Sequence, residues 1–147
     1  MASNNAAELF FSARHPIIAL LRVRLVAMRE RWVEVTLEGS AKFVADPASG
    51  RLHSGFATLA LDMVMGGAVM GSLEKIQPIA TAGLTAQHMR RPQVGEKLVC
   101  RASCDGIVHD VAHVSAQLLA AKTGEVLSTA TGSFMIGTRA KPLGDRA

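Results

Sequence analysis

One stretch decides how the chain folds: HSGFATLALDMVMGGAVMGSL, from His53 to Leu73. The 20 residues from Ser54 to Leu73 carry a single charge, Asp62. Phe56, Leu59, Met63 and Met70 recur at helical spacing, and the remaining faces are apolar too. A helix that is apolar all round is expected to be buried on all sides. The length would also serve a membrane span. Against that stands Asp62 near the centre, where a charge costs about 2.5–3.5 kcal/mol on insertion scales. Gly55, Gly66, Gly67, Gly71, Ser54, Thr58 and Ser72 weaken the span further. A helix inside a single domain, with no membrane partner, is the expectation.

Working outward, the flanks read as strands. From Leu21 to Glu38 the pattern has period two: Val23, Leu25 and Ala27 alternate with Arg22, Arg24 and Val26, and Val33 to Glu38 continues it. Two half-buried antiparallel strands are predicted. Ala45 to Gly50 (ADPASG) is a predicted loop. After the helix come four more strands: Ile79–Met89, Lys97–Cys104, Val108–Ala120 and Val126–Ile136. Asp105-Gly106 is the predicted hairpin turn between the second and third of these. At the front, Ser3 or Asn4 caps a short helix through Glu8, Leu9 and Phe10, which Pro16 stops. Residues 1–19 are thus a lead-in and 138–147 a frayed tail, with one domain over 1–147. The expected architecture is α+β: about six antiparallel strands wrapped around one long central apolar helix, the hotdog arrangement. A sheet of this kind keeps an exposed edge that pairing with a second copy would cover.

Composition narrows the function. The 147 residues are 49% hydrophobic, which excludes disorder as the main state, yet only 4% aromatic, so Ala, Val, Leu and Met must fill the core. Sixteen basic against twelve acidic residues give a net charge of +4, enough to attract an anionic ligand. Arg90-Arg91 is the only adjacent basic pair, and the interleaved aromatics of a single-strand platform are missing. No nucleic-acid partner is expected. Cys100 and Cys104 lie on one predicted strand about 13 Å apart, beyond disulfide reach, and read as free thiols in a reducing cytosol. The first ten residues show no basic segment followed by an apolar run, so no signal peptide is expected and the location is taken as cytoplasmic. His109, Asp110 and His113 suggest a metal only on a helix; on a strand the two histidines are about 13 Å apart, and no metal is expected.

Asp62 is the leading site candidate. An ionisable group in a buried apolar helix is costly unless paired or used, and Asp62 lies too deep to cap the helix. His53-Ser54-Gly55 opens the same helix, and helix N-termini present N–H groups suited to a polarised carbonyl. Ser54 also reads simply as an N-cap, and Gly55 as a point of close approach. Arg90 and Arg91 are either solvated turn residues or forks for a ligand's phosphates.

The segment GRLHSGFATLALDMVMGGAV (50–69) resembles the H-G-G…D/E helix signature of the hotdog acyl-CoA thioesterases. It is most similar to the phenylacetate-degradation-related group, itself akin to the 4-hydroxybenzoyl-CoA thioesterases. TAGLTAQHMRRPQVGEKLVCRASC (81–104) and HVSAQLLAAKTGEVLSTATGSFMIG (113–137) resemble the strand–R-P–x–x–G–strand segment and closing hairpin of that group. The likeness covers roughly residues 20–137. It implies a thioester hydrolase with no cofactor beyond the coenzyme A of its substrate. Asp62 would be the attacking carboxylate or the base for water. The Ser54 N–H would polarise the carbonyl with Gly55 beside it, His53 would order the loop or hold the carbonyl, and Thr81 would orient the nucleophile or water. The resemblance further implies that one site draws its carboxylate and its helix N-terminus from different subunits of a dimer; a homodimer and a homotetramer are both expected states. Two positions depart from the pattern. Ser54 replaces the first Gly, and Pro47 stands where some relatives carry an Asn. They motivate an alternative: a non-catalytic acyl-thioester-binding hotdog protein.

Overall fold

Strict alternation builds the centre of the sheet. Along Lys97–Val108, Leu98, Cys100, Ala102 and Cys104 are buried while Lys97 and Arg101 face solvent. Along Val111–Ala120 the same holds for Ala112, Val114, Ala116 and Leu118 against His113 and Gln117. The structure is a computed structural model describing residues 8–12 and 15–139. The caps expected at Ser3 or Asn4, and the tail beyond Arg139, lie outside the described residues.

In chain order, α1 (Pro16–Leu21) leads into β1 (Arg24–Arg29) and β2 (Trp32–Glu38). A 3-10 turn (Ala41–Phe43) and two short strands, β3 (Val44–Asp46) and β4 (Arg51–Leu52), then lead to α2 (Ser54–Ser72). Four strands close the chain: β5 (Ile79–His88), β6 (Lys97–Val108), β7 (Val111–Ala120) and β8 (Val126–Ile136). The six long strands form one antiparallel sheet in the order β1-β2-β6-β7-β8-β5, and β3 and β4 pair separately. The sheet wraps α2, which packs on β2, β5, β6, β7 and β8. Of its 19 residues twelve are buried, so a helix long and apolar enough to cross a membrane lies inside the sheet. Phe56, Leu61 and Met65 are wholly buried, each contributing about 1.5–3 kcal/mol. Small residues permit the close fit: a Cβ on Gly67 would lie 2.1 Å from the ring of Phe11.

Four expectations change. α2 is not buried on every side, because Ser54, Gly55, Thr58, Leu59 and Asp62 remain partly or fully exposed along one stripe. Pro16 stops nothing: it opens α1, where its missing N–H is harmless and His15 Nδ1 accepts from the Ile17 N–H at 3.3 Å. The 45–50 loop is flanked by the β3–β4 pair, and Asp46 accepts from Ser49 Oγ at 2.5 Å and the Ala48 N–H at 3.1 Å. Asp105-Gly106 is a bulge instead of a turn; β6 runs on to Val108, and His109 and Asp110, both with positive φ, make the reversal. The short polar side chain of Asp and the tolerance of His for left-handed backbone make that turn accessible.

Candidate active site

A stripe of oxygen-bearing side chains runs down the open side of α2. Ser54, Thr58 and Asp62 are spaced four apart and so lie on one face, one turn above another. They line an open cavity of about 500 Å³ with His53, Gly55, Leu59 and, from β5, Thr81 and Leu84. Leu59 and Leu84 make much of the wall apolar.

The β5 wall depends on one irregularity. Thr81 pairs with Phe134 and Gly83 with Ser133, leaving Ala82 as an extra residue in the ladder. Side chains alternate strictly along a regular strand, so an odd-numbered Thr81 and an even-numbered Leu84 cannot otherwise share a face. The bulge puts both towards α2. There Thr81 Oγ1 donates to Asp62 Oδ1 at 2.8 Å. Asp62 is half-buried, so the bond fixes one carboxylate oxygen and leaves the other for a reacting atom.

At the helix start, His53 is the N-cap. Its Nδ1 accepts from the Gly55 N–H at 3.0 Å, which requires an Nδ1 that carries no proton. The Phe56 N–H turns back to the His53 carbonyl at 3.0 Å. The Ser54 N–H makes no hydrogen bond among the described residues. Of the two amides the sequence singles out, Gly55 is therefore engaged and Ser54 is available, at the positive end of a 19-residue helix. Ser54 and Asp62 are eight residues apart, about 12 Å along the axis. No carbonyl of one small substrate reaches both within a single chain.

Arg90 and Arg91 separate. Arg90 is forked between Glu96, at 2.6 and 3.1 Å, and Glu125, at 3.1 and 3.2 Å. These bonds raise its pKa further above the ordinary arginine value, Glu96 contributing most, while Arg90 holds the Glu96 carboxyl below the usual range. Arg91 is exposed, and neither arginine lines the cavity. Pro47 is exposed between β3 and β4, also outside it. His109 lies in the β6–β7 turn and His113 faces outward; among the described residues no three His, Cys, Asp or Glu side chains gather as a metal site. Cys100 and Cys104 are buried free thiols, and burial pushes the Cys100 thiol well above its ordinary range.

Sequence reading did not find Thr58, Leu59, Leu84, His88 or Ser128. The four-residue spacing of Ser54, Thr58 and Asp62 was the available signal for the first. Leu59 follows from the helical spacing of α2, whereas Leu84, His88 and Ser128 depend on the β5 bulge and on strand register, which no local pattern encodes.

No protein-family model matches the chain, and no curated protein matches it in sequence. Solved structures do match. A thioesterase family protein from Silicibacter pomeroyi is 22% identical with a TM-score of 0.80, over 91% of this chain and 97% of that one. The E. coli PaaI protein from the phenylacetic acid degradation operon is 12% identical with a TM-score of 0.80, over 92% and 93%. A Streptococcus mutans protein bound to acetyl-CoA is 17% identical with a TM-score of 0.69, over 80% and 91%. The likeness is one of architecture, and this chain has the hotdog fold of the thioesterase superfamily proteins it resembles.

Proposed function

We propose that the protein is an acyl-CoA thioesterase working as a homodimer. The observation that carries this reading is the Thr81–Asp62 hydrogen bond in a cavity whose other end holds an open Ser54 N–H. Asp62 takes a proton from water as the water oxygen attacks the thioester carbon. The Ser54 N–H of the other subunit stabilises the oxyanion, which then collapses, breaking the C–S bond; the departing thiolate takes the proton from Asp62, releasing coenzyme A and the acid and restoring the carboxylate. Attack by Asp62 itself, through an anhydride that water then hydrolyses, uses the same groups. The separation of about 12 Å supports sharing the site between two chains. His53 acts as the helix cap, and Gly55 gives its N–H to that cap. Arg91 meets the phosphates of coenzyme A while Arg90 holds the turn that presents it. The S. mutans protein with its acetyl-CoA supports a coenzyme A ligand.

The test is thiol release across an acyl-CoA panel. Asp62→Asn should lower kcat by about 10²–10⁴-fold in a dimer that melts normally. Near wild-type hydrolysis by Asp62→Asn would sink the mechanism. Tight acyl-CoA binding by the native protein without any thiol release would instead favour the binding-protein reading raised by Ser54.

A further inference from the structure

His88 ends β5, and the bulge at Ala82 turns it, like Leu84, towards α2. Its register partner is Ser128 on β8, whose Oγ lies 2.8 Å from His88 Nδ1. His88 Nε2 lies 3.2 Å from Thr58 Oγ1, and Thr58 Oγ1 in turn lies 3.4 Å from the Ser54 carbonyl oxygen. Ser128 is wholly buried and, among the described residues, is the buried polar side chain of the core. A buried hydroxyl without a partner costs about 1–3 kcal/mol, so Ser128 destabilises the fold unless His88 engages it.

For a neutral ring, one proton arrangement satisfies all three contacts. Ser128 donates to Nδ1, the ring donates from Nε2 to Thr58 Oγ1, and Thr58 donates to the Ser54 carbonyl. This gives His88 the Nε2–H tautomer. The chain ties the first turn of α2 to the interior of β8, and it ends at the residue whose N–H stands open in the cavity. We propose that His88 is a positioning residue of the thioester site, holding the Ser54 end of α2 in place through Thr58. The assignment rests on the thioesterase reading of the cavity.

An amide displaced by an ångström from a developing oxyanion loses much of its effect, and that loss falls on kcat. Asparagine at 88 retains the Ser128 contact but does not reach Thr58; glutamine reaches the Nε2 position and keeps a donor there. His88→Asn should therefore lower kcat about tenfold with KM within about twofold, and His88→Gln should recover most of it. Thr58→Val should match His88→Asn, and the double variant should lose no more than either alone. Nitrogen NMR of the native ring should show Nε2–H and an accepting Nδ1. Wild-type kcat in His88→Asn, equal losses in the Asn and Gln variants, or an Nδ1–H ring would each overturn the assignment. Asp62→Asn measured alongside separates the two ideas. Loss there with His88→Asn unaffected removes only His88, whereas loss in His88→Asn with Asp62→Asn active removes only the carboxylate.

Discussion

The two edges of the sheet differ in kind. β1 is short, six residues, with exposed Arg24 and Arg29 and a bulge between Leu25 and Ala27. Charge, brevity and a kink are the devices by which natural edges resist pairing. β5 is ten residues long, has no Lys, Arg, Asp or Glu, and is exposed over most of its length. It also carries Thr81 and His88, so the undefended edge is the one beside the cavity. One edge carries those devices, and the other lacks them. On the proposed function, covering β5 would bring a second α2 to the first, as a site divided over about 12 Å requires.

The sharpest way to break this comparison uses two dead chains. Ser54→Pro deletes the open N–H at the first helical position, where proline is tolerated. The residue before it, His53, already has the extended backbone (φ −62, ψ 139) that proline demands. Ser54→Pro and Asp62→Asn should each abolish thiol release. Refolded together in equal amounts, half the dimers are mixed and each has one intact site, so about a quarter of native activity should return. No recovery would mean that the site lies within one chain.

Next in size is charge placed on each edge. Glutamates at Thr85 and Gln87 of β5 should give a monomer by light scattering and cost about 10²-fold or more in thiol release. Glutamate at exposed Val26 of β1 should change neither mass nor rate. Equal behaviour at both edges would remove the distinction.

The smallest effect concerns how β5 leaves the sheet. Arg90 fastens that exit through the half-buried Glu96, whose pKa is lowered chiefly by this bond. A depressed carboxylate stabilises above its unfolded pKa, near 4.3–4.5, and the gain is lost as pH falls through the folded value. Glu96→Gln should destabilise the protein by about 1 kcal/mol at pH 7, and the difference from native should shrink in acid. A pH-independent difference in melting would show that packing, not charge, fixes the turn.

Much of this was legible beforehand. Period-two alternation located β2 almost to the residue, since one of its faces lies on the core, and β8 was read from the run after the Lys122–Glu125 turn with the bounds it has. The uncharged run with Asp62 located α2 and its carboxylate. Local signals misled where register decides: Asp105-Gly106 reads as a hairpin turn, yet ten register pairs from Leu98 to Val108 carry β6 past it. Arg90-Arg91 reads as a cationic pair, but Glu96 and Glu125, 6 and 35 residues away, claim one of them. His88 and Ser128 are 40 residues apart and meet only across β5 and β8.

The glycines of α2 carry a consequence for how the protein assembles. Gly55, Gly66, Gly67 and Gly71 each disfavour helix by about 1 kcal/mol relative to alanine. Val64, Val69 and Thr58 add to this, and a peptide of residues 53–73 should show little helix by circular dichroism in water. The hairpins β6–β7 and β7–β8 need no help from α2 to find their partners, being joined by tight turns. α2 is therefore expected to wind late in folding, as the sheet closes on it, with φ-values near zero along it. Asp62 has no place of its own in the unfolded chain, and its position is conferred by strands that arrive after it in sequence.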